Sequence, residues 1–353
     1  MKAYFHQNRW MLLVSLLLVA AFMAGIVPPD SAAAGMLLAG VVAPFPVTPE
    51  LTAVAIGYRN TALIADEVLP RVPVGLQSFK YTKYPKGTFF TVPETLVGRK
   101  GEPNTVEFSG EEVTDSTQDH ALDDPVPNAD IELARAQAMP DPLGRAVEGI
   151  TDLLALAREV RAANLVLAAG NYAAANKNVA LAGNTLWSDY TAGHSDPISD
   201  IMTGLDACIM RPNVMVLGNA VSSKLRRHPV ILKSYNGTTG DTGIVPLRYL
   251  AELFELEQIL VGQGWVNTAA KGRTPVMQRV WGNGVALIHR NKMADTQRGT
   301  TFGFTAQWGT RIAGSEYDGK IGMRGGQRVR AGESVKELIT ANDLGYLIAP
   351  AIA

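Results

Sequence analysis

At 353 residues the chain can bury a large core, as one elaborate domain or two ordinary ones. Its 32 Lys and Arg against 33 Asp and Glu leave a net charge of -1, without the basic excess of a protein built to grip nucleic acid through phosphates. Cys208 is the only cysteine, which excludes an internal disulfide or a thiolate metal cluster within one chain, and the five histidines (His6, His120, His194, His228, His289) hold no i, i+4 pair of the kind a helical zinc site needs.

The first element is the uncharged run Trp10 to Val27, roughly 27 Å long as a helix. Lys2 and Arg9 precede it, Pro28, Pro29 and Asp30 follow, and Ala32 to Ala34 offers a small-residue cleavage site. Residues 1–43 therefore have the layout of a secretory signal peptide. An uncleaved anchor and a misassigned translation start, with Met36 as one later start, are the other two readings.

From Pro44 the chain is extended and punctuated by proline. Thr48 and Pro49 suit a helix start, with a short helix through Tyr58, and the remainder to Gly75 has the character of an arm. "FKYTKYPKGTFFTVPE" then alternates, Phe79 and Tyr81 against Lys80 and Thr82, with a turn at Pro85 to Gly87. Gly101 to Asp130 carries nine acids, Glu102, Glu107, Glu111, Glu112, Asp115, Asp119, Asp123, Asp124 and Asp130, and no Lys or Arg. Phe79 to Asp130 is expected to be a long two-stranded excursion that leans on something else, because an isolated hairpin is marginal in water.

"DPLGRAVEGITDLLALAREVRAANLVLAAGN" predicts a long helix from Pro142 to Ala169, capped by Asp141 and ended by Gly170 and Asn171. Leu143, Val147, Ile150, Leu154 and Ala157 trace one face, with Glu148, Asp152, Arg158 and Arg161 elsewhere. A second helix starts at Asp196 and Pro197. Pro212 to Arg311 predicts a compact α/β region: strands at Val214 to Leu217 and Gln258 to Val261, helices at Ala220 to Arg227 and Leu247 to Leu256, and a hairpin in "PVMQRVWGNGVALIHR". "TFGFTAQWG" sets Phe302, Phe304, Ala306 and Trp308 against Gly303, Thr305 and Gln307, and two or three strands close the chain.

No catalytic signature emerges. Gly262-x-Gly264 and Gly282-x-Gly284 lack the third glycine of a dinucleotide fingerprint, and there is neither a phosphate-binding P-loop nor a Gly-x-Ser-x-Gly elbow. No catalytic, cofactor-binding or metal-ligating residue is expected, and the chain is not read as an enzyme. The acids at 115, 119, 123 and 124 lack the EF-hand order and are read as a solvated loop. Arg324, Arg328 and Arg330 are expected to pair with carboxylates of the same or a neighbouring chain rather than with phosphate. His289 is read as packed or surface, Cys208 as an inert buried thiol, and Trp265, Trp281 and Trp308 as core or interface anchors.

The segments "ELTAVAIGYRNTALIADEVLPRVPVG", "FTVPETLVGRK", "RPNVMVLGNAVSSKLRRHPVI", "FGFTAQWG" and "KIGMRGGQRVRAGESVKELITANDLGYLI" are similar to the major capsid proteins of tailed bacteriophages and prophages. The resemblance implies an α+β, Hong Kong 97-like fold: an N-arm at 44–75, an extended E-loop at 76–130, a peripheral domain with its spine helix at 131–211, an axial domain at 212–311 and return strands of the peripheral domain at 312–353. It further implies a structural protein that assembles with itself into hexamers and pentamers, arms and E-loops lapping over neighbours, to enclose double-stranded DNA in an icosahedral shell. Scaffold and portal proteins are the other partners it implies, the virion is the location, the host cytoplasm the place of assembly, and no membrane or cofactor is expected. Some relatives cross-link a lysine to an asparagine, a pair that cannot be matched here. Under this resemblance residues 1–43 are the departure, favouring a misassigned or fused start over export or removal during maturation. An encapsulin-like compartment and an envelope-anchored or secreted binding protein are the alternatives.

Overall fold

The computed structural model describes residues 47–57, 60, 62–83, 92–105, 111–237, 240 and 242–353 of the chain. The run Trp10 to Val27, the expected helix end at Tyr58 and the turn at Pro85 to Gly87 lie outside these residues.

The chain enters on α1 (Pro49–Gly57), opened by a proline whose fixed φ suits a first helical turn, and continues through α2 (Ala65–Val68) and β1 (Arg71–Val74). Next come β2 (Ser78–Lys83), β3 (Glu111–Ser116), β4 (Gln118–Pro127) and α3 (Asn128–Ala136). The longest helix follows, α4 (Pro142–Val166), then β5 (Lys177–Asn178) and α5 (Pro197–Ala207). The middle of the chain supplies β6 (Val214–Gly218), α6 (Asn219–Leu225), α7 (Pro229–Asn236), α8 (Leu247–Leu253) and β7 (Gln258–Gly262). The last six strands are β8 (Trp265–Asn267), β9 (Met277–Arg279), β10 (Val285–Ile288), β11 (Gly303–Asp318), β12 (Gly326–Ile339) and β13 (Gly345–Ile348).

The cap expected for α4 is present. The Asp141 carboxylate accepts from the N–H groups of Leu143 and Gly144 at 3.2 and 3.4 Å, with Pro142 at the first helical position. Its 25 residues make a rod about 37 Å long. It ends at Val166, before the expected Ala169, because residues 169–171 tighten into a 3-10 turn and Asn171 Nδ2 donates to the Leu165 carbonyl at 2.7 Å.

Two sheets flank this helix. One has four strands in the order β1-β11-β12-β4, with β1 parallel to β11 and the other pairs antiparallel. The other has five, β5-β13-β10-β6-β7. The first half of α4 packs Ala146, Val147 and Ile150 on Val126, Ala313, Val329 and Ala331 of the four-stranded sheet. The second half packs Ala162, Ala163 and Val166 among Val216, Ala286, Ile288 and Leu347 of the five-stranded sheet. One helix thus belongs to two hydrophobic layers, and Arg158 and Glu159 stand where it passes between them.

Several expectations are corrected. The excursion does not run to Asp130: β4 leaves it to become a strand of the four-stranded sheet, with Val126 buried and Asp123 opposite Arg330. The arm does not stay loose to Gly75, since β1 buries Val72 and pairs with β11. The boundary expected between 311 and 312 falls inside β11, whose two halves pair along β12 on either side of a bulge at Trp308/Ile312. β13 does not return with β12; it sits between β5 and β10 in the other sheet. The expected hairpin in "PVMQRVWGNGVALIHR" is also absent, because β9 pairs with β8 while the fully buried β10 pairs with β6 and β13. No described helix is long and apolar enough to cross a membrane.

Candidate assembly surfaces

Glu159 is fully buried and does the work of three partners. Its carboxylate accepts from the N–H groups of Ile64 at 3.0 Å and Ala65 at 2.7 Å, which open α2 and have no intrahelical acceptor, and from the Trp281 indole N–H at 2.5 Å. Burial pushes its pKa up, against these hydrogen bonds, which favour the charged form.

Beside it, Arg158 ion-pairs with Asp66 and donates to the Leu69 carbonyl at 3.3 Å and Thr305 Oγ1 at 3.0 Å. Burial would raise the Asp66 carboxyl, yet the guanidiniums of Arg158 and Arg71 overcome it and hold its pKa down to about 2. Arg71 also reaches Glu333 at 2.7 Å, Arg311 reaches the same carboxylate at 2.9 Å, and Arg161 reaches Glu337 at 3.0 Å. Burial likewise opposes ionisation of Glu333, and its two arginines win, leaving its pKa lowered. This clasp fastens residues 64–74 to α4 and to both long strands. An open cleft of about 710 Å³ runs beside it, lined by Asn60, Asp66, Arg71, Arg158 and Arg311.

The sequence placed Arg158 away from the packed face. Its helical spacing from Val147, Thr151 and Leu154 onward to Ala162 and Val166 puts it in the buried stripe, and that spacing was the available signal. Its partners lie far away in sequence, so nothing local announced them.

On the opposite face of the four-stranded sheet, Phe79 and Tyr81 of β2 pack against Phe304, Ala306 and Leu338. The alternation in "TFGFTAQWG" is therefore realised with both faces covered: Phe304 and Ala306 meet the β2–β3 hairpin, and Thr305 meets Arg158. Trp308 is 42% exposed beyond that cover. The hairpin's outer side is polar, with Lys80 and Glu112 at 2.8 Å, and residues 92–105 beyond it are exposed throughout, Val92 and Leu96 at 89% and 86%.

The arginines of the late strands pair inside the chain, Arg328 with Asp318 and Arg330 with Asp123, both at 2.6 Å, and Arg324 with Glu132 at 3.7 Å. Met323, beside Arg324 in the β11–β12 turn, is 94% exposed. Cys208 is buried at the end of α5, His289 Nδ1 lies 3.1 Å from the Arg211 carbonyl, and Trp281 is core while Trp265 is half exposed. A Ser–His contact, Ser195 Oγ to His228 Nε2 at 2.8 Å, is structural. His228 Nδ1 accepts from Val230 N, so Nε2 carries the proton, and the serine donates to the Asp189 carbonyl. Among the described residues no group of three His, Cys, Asp or Glu side chains converges on a metal position.

A long helix spanning two sheets, an arm clasped to it and an exposed hairpin loop define a Hong Kong 97-like capsid subunit. No family model matches the chain. It is 55% identical over 311 residues to the major capsid protein of Pseudomonas phage JBD67, covering 88% of this chain and 99% of that one, and 28% identical over 315 residues to the major capsid protein of Burkholderia phage BcepMu, covering 86% and 95%. Among solved structures, a phage-related protein from Bordetella bronchiseptica RB50 superposes with a TM-score of 0.68 at 26% identity, covering 86% of this chain and 97% of that one. The capsid of cyanophage P-SCSP1u superposes with a TM-score of 0.54 at 10% identity, covering 84% and 90%, a likeness of fold. The chain belongs to the phage major capsid proteins. It is a structural, self-associating subunit of a virion capsid.

Proposed function

We propose that copies of this chain, arranged as hexamers and pentamers, close into an icosahedral shell around double-stranded DNA, assembled in the host cytoplasm with scaffold and portal proteins. The observation that carries this reading is the loop 92–105, whose apolar side chains Val92 and Leu96 are left exposed among the described residues. A neighbouring subunit provides their cover, and closure multiplies many weak contacts into a stable wall. In this assignment α4 and the four-stranded sheet are the peripheral domain and the five-stranded sheet is the axial domain. The near-zero net charge suits a wall that holds DNA without adhering to it. Electron micrographs of the purified chain, with and without scaffold protein, test the reading: closed shells support it, and particles no larger than single subunits at every concentration overturn it.

A further inference from the structure

Beyond its root, the β2–β3 hairpin meets the rest of the subunit in two ways. Phe79 and Tyr81 lie on the four-stranded sheet, Tyr81 edge-on to Phe304 with ring centroids 6.5 Å apart. Such apolar contacts are non-directional, so they keep the hairpin on the sheet without fixing the angle at which it points. The second contact is directional. The N–H of Thr82 donates to the Thr296 carbonyl at 3.2 Å, and among the described residues no other hydrogen bond leaves β2 or β3 for a distant part of the subunit. Thr82 is the penultimate residue of β2, so the bond acts near the far end of the lever.

Thr296 belongs to the connection 289–302, which runs from β10 of the five-stranded sheet to β11 of the four-stranded sheet. This connection is closed at its base and braced within. The Phe302 N–H donates to the His289 carbonyl at 2.9 Å, and the Asn291 N–H to Thr301 Oγ1 at 3.3 Å. Nearer the tip, Asp295 Oδ1 accepts from the N–H groups of Gln297 and Arg298 at 2.7 and 2.6 Å, while the Asp295 N–H donates to the Arg298 carbonyl at 2.8 Å. The turn that carries Thr296 is thus held from both sides. Gly299 has a φ of 83°, and a Cβ there would stand 2.9 Å from the Ala294 Cα, so glycine is what lets the two limbs of the loop close.

We propose that this turn is a stay: through Thr296 it sets the angle at which the β2–β3 hairpin leaves the subunit, and Asp295 and Gly299 are the residues that position the Thr296 carbonyl. The proposal rests on the reading that the hairpin's loop meets a neighbouring subunit. It adds which residues, remote from that contact, aim the hairpin.

Three variants of the full chain test it. Asp295→Ala removes two bonds from the turn, Gly299→Ala strains the same turn by another route, and Asp295→Asn keeps an acceptor oxygen in place. Amide hydrogen exchange of the unassembled subunit reads the stay, and light scattering against concentration reads the threshold for shell formation. In Asp295→Ala the Thr82 amide is expected to exchange about tenfold faster and the threshold to rise about tenfold. The Tyr81 amide, which faces β3 by the alternation of an antiparallel pair, is expected to be unchanged, and the melting midpoint to stay within about 2 °C of wild type. Gly299→Ala is expected to reproduce the effects on exchange and threshold, and Asp295→Asn to stay within about threefold of wild type in both. Unchanged Thr82 exchange in both alanine variants overturns the stay. So does a freed Thr82 amide in a subunit that assembles at the wild-type threshold, and so does an Asp295→Asn variant no better than Asp295→Ala. Shells from wild type leave the lapping reading standing in each of these cases. Wild type that forms no shell overturns that reading and the aiming role together.

Discussion

The indole N–H of Trp281 meets the carboxylate of Glu159 at 2.5 Å, so the segment between β9 and β10 is joined to the middle of α4 by one buried hydrogen bond. The same carboxylate holds the start of α2. Glu159→Gln replaces one acceptor oxygen by an amide NH2 group, and in a pocket of three donors one of them is left facing its own kind. Urea unfolding of the subunit is expected to show a loss of about 2–4 kcal/mol. An unchanged midpoint would mean that Glu159 does not hold this junction.

The indole is positioned by missing side chains. A Cβ on Gly262 would stand 2.0 Å from Trp281 Cδ1, and one on Gly218 would stand 1.9 Å from the Trp281 carbonyl oxygen. Gly262→Ala is therefore expected to push the ring off Glu159 and cost about 2–3 kcal/mol by overpacking, whereas Gly282→Ala, with nothing within 4 Å of the added carbon, stays within about 0.5 kcal/mol of wild type. Thermal melts of the two variants, side by side, check the contrast.

Acid acts on the clasp through groups of opposite tendency. Asp66, moved from 3.8 to about 2, and Glu333, also lowered, contribute stability that is fully present above the ordinary carboxylate range and lost as pH falls through their folded-state values. Glu159, raised by burial, contributes in the other direction, its cost growing as pH rises through its shifted value. Between pH 4 and 2 the first pair dominates, so residues 64–74 are expected to become steadily more open to pepsin. Asp66→Asn should flatten that dependence. Equal protection across the window would show that the ion pairs do not fasten the arm.

The parts of the fold legible in the sequence were those encoded locally. Asp141 and Pro142 announce α4, Phe79 and Tyr81 mark the buried face of β2, and the apolar run 214–217 gives β6. What escaped depended on distant partners. β4 looked too acidic to bury anything, because Arg330, which neutralises Asp123, is 207 residues further on. Arg158 looked like a surface residue because Asp66 and Thr305 arrive from the two ends of the subunit's sequence. β9 and β10 resembled one hairpin because both are short and apolar in part, yet only β10 is buried on both faces and so belongs in a central position of the sheet. The exposed loop 92–105 was visible in outline as part of a segment unable to bury itself, but the base of the hairpin is more firmly seated than that outline implied.

Lys83 stands opposite Glu111 in the β2–β3 register, so a two-residue Asn-Gly turn in place of residues 84–110 closes the hairpin while keeping Phe79 and Tyr81 on the sheet. Electron microscopy of this shortened subunit beside the intact one bears most directly on the claim that the subunit is completed only by its neighbours. Closed shells from the intact chain, with a folded but dispersed shortened subunit, is the result expected. Normal-sized shells from the shortened subunit would contradict it.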